Sequence, residues 1–251
     1  MLLVETPIAI WIVLAAAGAY LGVPWLYMRW LRRRLVRECR VRRCIAITFD
    51  DGPCARLTAR IRDRLTAAAV PATFLVTGMN LRGNEGLLTQ LLRDGHAIGS
   101  HGMRHLHHWG STPWAAMADA LDGLTGVSAL RGQAVATPCF RPPYGKLNLV
   151  SLLAMLWRGV QLVPWTHDGG DARRLVARTP AAMVEALRSS GGGVVLLHDF
   201  PRDGLGEDVV IARVDALLAL RQEGFRFVRV IDVLQPQRVD RPQVSPVLSR
   251  R

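Results

Sequence analysis

The sequence predicts an α/β protein with parallel strands, arranged as an open sheet or as a β/α barrel. Two observations predict it. From residue 44 onward, short and nearly all-apolar runs alternate with segments of helical pattern, the reading expected of strands covered on both faces by helices. The alternation continues for about 200 residues, enough for one complete hydrophobic core.

The elements before that alternation are of another kind. Residues 7–28, PIAIWIVLAAAGAYLGVPWLYM, are 22 positions without a charge, long enough to span about 30 Å of hydrocarbon as a helix. Trp25, Tyr27 and Trp30 stand at the C-terminal end of the segment, where aromatic rings favour the membrane interface. The preceding MLLVET has no basic residue and carries Glu5, so it lacks the basic start of a signal peptide, although AAAGA imitates a cleavage site. Eight arginines follow, at 29, 32, 33, 34, 37, 40, 42 and 43, opposed in that stretch by Glu38 alone. The positive-inside rule then predicts a single-pass protein of the inner (cytoplasmic) membrane, N-terminus out and body on the cytoplasmic side. The arginines would meet anionic lipid, at about 1 kcal/mol each near the surface.

The body follows in order. Its strand-like runs are CIAITF, PATFLV, HAIGS, TPCF, VQLVPW, GVVLLH and FRFVRVI, and helical patterns fall near 56–69, 84–94, 113–130, 147–157, 180–190 and 207–223. Ser111 or Thr112 ahead of Pro113, and Thr179 ahead of Pro180, read as helix starts, and Gly95 and Gly224 as stops. The predicted organisation is 1–43 as membrane anchor and Arg-rich juxtamembrane segment, 44–232 as one folded domain, and 233–251 as a flexible tail.

Composition excludes some functions. The net charge of +12 comes from 32 Lys and Arg against 20 Asp and Glu. Without the stretch after the span, 24 basic and 19 acidic residues are left, close to balance. A basic face with a nucleic-acid reading motif is missing, so no nucleic-acid partner is predicted. The four cysteines have no C-x-x-C spacing, and free thiols are expected.

In a parallel β/α fold, chemistry gathers at the C-terminal ends of strands. Asp50 and Asp51 close the first run, and His101 follows HAIGS with His105 four residues on. Arg141 to Gly145, RPPYG, follow TPCF; His167, Asp168 and Asp171 follow VQLVPW; His198 closes GVVLLH, with Asp199 next. Singly, each has a structural reading. Asp-Asp-Gly-Pro makes a turn, RPPYG a rigid loop, His198 a core histidine, and His107 and His108 solvated loop residues. Together they point to a metal. Histidines at i and i+4 lie on one face of a helical turn, and a carboxylate from another strand completes a two-His, one-carboxylate set.

With TFDDGP, the His-x-x-x-His pair of SHGMRH, RPPYG and LLHD in this order, residues 44–232 resemble the polysaccharide deacetylase family, carbohydrate esterase family 4. The resemblance implies a distorted (β/α)7-type barrel and a carbohydrate deacetylase, hydrolysing the acetyl amide of an amino sugar. It implies a divalent metal, Zn²⁺ or else Co²⁺, Ni²⁺ or Mn²⁺, held by Asp51, His101 and His105. Asp50 would be the general base, oriented by Arg141. The Tyr144 backbone N–H would stabilise the oxyanion, and His198, held by Asp171, would protonate the leaving amine. Pro142 and Leu196 would contact the substrate. Two positions depart from the family pattern. Gly102 stands where Ser or Thr is usual, and Ala172 stands where a Trp walls the acetate pocket, leaving Trp165 as a substitute wall or formyl as the acyl group.

Within that family, some members resemble this layout and act on polyprenyl-phosphate-linked amino sugars, as in lipid A and lipopolysaccharide modification. The resemblance and the charge asymmetry together favour a lipid-linked N-acetylhexosamine. The alternatives are deacetylation of peptidoglycan or an exopolysaccharide outside the cytoplasm, and deformylation of a lipid-linked amino sugar. A membrane-anchored interaction module without catalysis would not need the full polar set.

Overall fold

The computed structural model describes residues 8–131, 138–172, 179–201 and 206–234. Helix α1 (Ile8–Arg42) leads into β1 (Cys44–Asp50). Then come α2 (Ala55–Ala67), β2 (Thr73–Val76), α3 (Glu85–Arg93), β3 (Ala97–Ser100) and α4 (Pro113–Arg131). They are followed by β4 (Cys139–Phe140), α5 (Leu149–Trp157), β5 (Gln161–Leu162), β6 (His167–Asp168) and α6 (Pro180–Ser190). The last elements are β7 (Gly193–His198), α7 (Glu207–Ala219), β8 (Arg226–Phe227) and α8 (Val230–Leu234).

The strands form one sheet in the order β5-β4-β3-β2-β1-β7-β6, with β8 beside the start of β1. Every pairing among the described residues is parallel. The sheet curls into a half-barrel. Four residues, 163–166, connect its two edge strands, β5 and β6, so those edges lie within about 18 Å of each other.

Alternation along the central strands separates two layers. Ile45, Ile47 and Phe49 of β1, with Val195 and Leu197 of β7, pack against residues of α2, α3, α6 and α7. Cys44 and Ala46, with Val194, turn to the opposite layer, built with residues of α1, α4, α5 and α8. By the same period of two, Thr48, Asp50, Leu196 and His198 belong to that inner face. Register sets Thr48 opposite Leu196 and Asp50 opposite His198. The inner face is apolar at the strand starts and polar at their ends, which is where the site lies.

The structure corrects four expectations. The Arg-rich juxtamembrane segment is not distinct from the span or given over to lipid alone, because α1 runs unbroken for 35 residues. Met28, Leu31, Leu35 and Cys39, at helical spacing, are buried in the inner layer. Arg34, Arg40 and Arg42 turn to the body and donate to the carbonyls of Leu234, Ser190 and Asp232 at 3.3, 3.2 and 3.1 Å. Secondly, the run FRFVRVI is a strand only at β8; its end belongs to α8, which continues past Asp232 to Leu234. The rest of the expected tail lies outside the described residues. Thirdly, His167 and Asp168 form an additional strand, β6, rather than a loop. Fourthly, His108 is not solvated but fully buried. The first half of α1 is exposed, Trp11, Ile12 and Val13 included, and α1 is long and apolar enough to cross a membrane by length and composition.

Candidate active site

Asp50 ends β1 and Asp51 follows it. Strand alternation alone would send successive side chains to opposite faces. Asp51 instead takes a left-handed backbone, φ 72°, and both acids line one cleft of about 720 Å³. The adjacent carboxylates are thus a strand end with the residue after it re-aimed.

His101 follows β3, and His105 joins it, but not as a helical turn: residues 101–107 contain no helix. Gly102 at φ 87° and His105 at φ 59° bend the chain instead. A Cβ at Gly102 would lie 2.5 Å from Asp119 Oδ2, so backbone and space both call for glycine where Ser or Thr is usual. Asp119, buried on α4, accepts the Arg104 backbone N–H at 2.8 Å and so holds the turn.

Asp51, His101 and His105 offer ligand atoms within 4.8 Å of one another. The Nε2 atoms of His105 and His101 lie 3.1 and 3.4 Å from Asp51 Oδ1. Bonds of about 2.0–2.1 Å at tetrahedral angles place ligand atoms about 3.3–3.4 Å apart, so the residues fit a zinc-sized ion. The far nitrogen of His101, Nδ1, lies 2.8 Å from the Arg141 carbonyl. Donation to that carbonyl leaves the Nε2 lone pair for a metal. Burial keeps the His101 ring below its usual pKa, in the neutral form that a ligand needs.

Arg141 is completely buried. Its Nη1 donates to Asp50 Oδ1 at 2.7 Å and to Thr48 Oγ1 at 2.8 Å, and its Nε to the Val163 carbonyl at 2.8 Å. One guanidinium therefore ties β1 to the segment between β5 and β6. On the other side of Asp50, Asp171 holds His198 twice, accepting from its backbone N–H at 2.7 Å and meeting ring Nδ1 at 2.9 Å. Burial opposes a charge on His198, but the Asp171 bond and the charges of Asp171, Asp50 and Asp51 outweigh it and raise its pKa.

The cleft is also lined by Tyr144, Trp165, Ala172 and Leu196. Tyr144 sits at φ 58°, with its ring centroid 4.7 Å from that of His105. Pro142, expected at the substrate, is buried and does not line the cleft; its carbonyl instead closes the turn by accepting from Gly145 N. His167 does not line the cleft either, its Nδ1 lying 2.8 Å from Thr166 Oγ1.

Sequence reasoning gave no site role to several contributors. His107 and Lys146 line the cleft. Arg213, buried on α7, donates to the carbonyls of Gly169 and Gly170 at 2.7 and 3.1 Å, steadying the approach to Asp171. Asp199 accepts the Gly52 backbone N–H at 3.1 Å and the Thr58 hydroxyl at 2.7 Å, anchoring the turn after Asp51. Burial pushes its carboxyl up to about 7. A charged residue inside an amphipathic helix, as Arg213 is, was the one available signal.

The family described as polysaccharide deacetylase matches residues 37–163. A peptidoglycan-N-acetylglucosamine deacetylase of Bacillus cereus is 33% identical over 194 residues, 76% of this chain and 88% of the relative. A chitooligosaccharide deacetylase of Bradyrhizobium is 30% identical over 193 residues, 73% of this chain and 87% of the relative. Among solved structures, the peptidoglycan deacetylase PdaC of Bacillus subtilis superposes with a TM-score of 0.63 at 25% identity, over 76% of this chain and 89% of that one.

Proposed function

The chain belongs to the polysaccharide deacetylase family and is a carbohydrate deacetylase, and from that premise we propose that it hydrolyses the acetamido group of an N-acetylhexosamine carried on a lipid phosphate. The observation that carries the chemistry is the meeting, in one cleft, of Asp51–His101–His105, the Asp50–Arg141 pair and the Asp171–His198 pair. Asp51, His101 and His105 would hold a divalent cation, which would supply Lewis acidity toward the acetyl carbonyl and water.

Asp50 takes the proton from that water as the C–O bond forms. Arg141 fixes the carboxylate and keeps it ionised and aimed. The Tyr144 N–H, on its turn at the cleft mouth, donates to the developing oxyanion. His198 gives a proton to the sugar nitrogen as the C–N bond breaks, releasing acetate and the amine. Asp171 orients the ring and supports its charged form. Leu196 and Trp165 wall the acetyl methyl, and Trp165 supplies bulk where Ala172 has none.

The lipid carrier is supported by the exposed apolar half of α1, and by arginines after the span with no basic residue before it. That asymmetry favours a cytoplasmic body. A second reading is favoured by the relatives, whose names specify peptidoglycan and chitooligosaccharide: the same reaction on a polymer outside the cytoplasm.

The test is acetate release by the full chain from an N-acetylglucosamine oligomer and from a lipid-phosphate-linked N-acetylglucosamine. His101→Ala is expected to lose both bound metal and activity while keeping its circular dichroism. Undiminished acetate release by that variant would overturn the chemistry. A C-terminal reporter active only outside the cytoplasm would overturn the carrier and the compartment while leaving the chemistry standing.

A further inference from the structure

A second cavity, of about 520 Å³, opens between α1 and the catalytic cleft. Tyr144, Lys146 and Trp165 line both, so the two are neighbours across a shared wall. The helix side is formed by positions 25, 28, 29, 32, 33 and 36. Their spacing of three, one, three, one and three is that of one helix face. At 1.5 Å per residue this face runs about 16 Å.

Arg29, Arg32, Arg33 and Lys146 line this cavity, and among the described residues no carboxylate does. Glu38, the acidic residue of the segment, pairs with Arg37 and Arg42 instead. Arg32 donates to the Thr166 carbonyl at 3.0 Å. Arg29 rests on the Trp25 ring and Lys146 on the Trp109 ring, at 5.4 and 4.1 Å from the centroids. Among the described residues none of the four pairs with a carboxylate. Like charges gathered on one cavity repel one another until an anion enters, and the guanidinium fork suits phosphate oxygens. The membrane end of the same face is apolar, with Trp25 and Met28, and Leu21, one turn back, continues it into the span.

We infer that this cavity binds the phosphate linker of a lipid-borne sugar substrate. The phosphate sits among Arg29, Arg33 and Lys146. Its hydrocarbon leaves past Trp25 along α1, and its sugar passes Tyr144 and Trp165 into the catalytic cleft. The inference rests on the deacetylase reading. A phospholipid headgroup offers similar chemistry, but the wall shared with the cleft favours the substrate's own linker.

The experiment uses the full chain in phosphatidylcholine nanodiscs with two probes, dodecyl-phosphate-linked N-acetylglucosamine and the dodecyl glycoside without phosphate. For Arg29→Gln/Arg33→Gln, kcat/KM on the phosphate probe is expected to fall about tenfold, equivalent to about 1.4 kcal/mol, with the phosphate-free probe unchanged. Arg29→Lys/Arg33→Lys is expected to restore most of the loss, which a misfolded α1 would not. An equal loss on both probes, or none on the phosphate probe, would overturn the inference while leaving the deacetylase reading intact. A loss that appears only when phosphatidylglycerol is added, whatever the probe, would overturn it in favour of bulk headgroups. If the unsubstituted chain releases acetate from an N-acetylglucosamine oligomer but from neither probe, the lipid-carrier reading falls and the inference with it, while the deacetylase chemistry stands.

Discussion

Asp50→Asn separates the two adjacent carboxylates by role. Asp50 and Arg141 meet at 2.7 Å with side chains 4% and 0% exposed. The amide keeps an acceptor for Nη1, and Arg141 keeps its bonds to Thr48 and Val163, but the guanidinium loses its buried anion. Removing one partner of a buried pair costs about 3–5 kcal/mol, and the surviving acceptor puts the variant near the lower figure. At about 2–4 °C per kcal/mol for a domain of this size, Tm should fall by about 6–12 °C. Loss of a general base removes a further factor of about 10²–10⁴ in kcat. The Asp51–His101–His105 group is untouched, so bound metal should stay at the parent's stoichiometry. The assay combines steady-state acetate release, elemental analysis and thermal melting. If metal disappears along with activity, Asp50 is a ligand, as its Oδ2 at 3.7 Å from His101 Nε2 would then allow. If kcat stays within about tenfold of the parent, no proton transfer depends on it.

Three further outcomes are expected. Asp171→Asn removes the anion that raises the His198 pKa, so the ring deprotonates at lower pH and the alkaline limb of the kcat/KM profile moves to lower pH; an unmoved limb would refute its support of a general acid. Burial lowers His96 to about 4, whereas the unfolded residue titrates near 6.5. The unfolded state therefore binds more protons between these values, and this contribution is complete above about pH 6.5 and lost as pH falls toward 4. About 2 kcal/mol of it is lost by pH 5. Buried His108, also at about 4, adds a similar loss, and Asp199, at about 7, opposes both over this range, so urea melts at pH 7 and 5 should show His96→Asn losing about 2 kcal/mol less than the parent. Finally, a chain beginning at Cys44 loses the buried stripe of Met28, Leu31, Leu35 and Cys39. At about 1.5–3 kcal/mol for each large side chain, that loss rivals the whole stability of a domain. Such a chain should fail to melt cooperatively, whereas one beginning at Pro24 should retain a sharp transition.

Much of this was legible because the chemistry and the architecture share a register. Long apolar strands such as β1 and β7 announce themselves, and the polar residues at their ends are the ones that converge. Thr179 caps α6, accepting from Ala182 N at 3.2 Å, as the Thr-Pro signal predicts. Other parts were hidden for physical reasons. A two-residue strand such as β6 has no periodicity to detect. The unity of α1 was masked because arginine is a good helix former, and a dense arginine run looks like a collar even when half of it faces protein. The His101–His105 pair has helical spacing by coincidence, since left-handed backbone at Gly102 and His105 replaces the turn. Pro142 belongs to a conspicuous motif, but it shapes the loop rather than touching the cleft.

The unbroken course of α1 sets an elevation. From Trp25 to Arg42 the helix rises about 26 Å, and its buried stripe welds that length to the body. With the apolar half in a bilayer, the cleft is carried at a fixed height and attitude, with no slack linker to swing it outward. Its encounters become two-dimensional. A sugar whose carrier floats in the same leaflet arrives at the right level by lateral diffusion alone, its local concentration set by the membrane rather than by the surrounding volume. A polymer strand must instead come down to the membrane, because the enzyme has no reach with which to meet it.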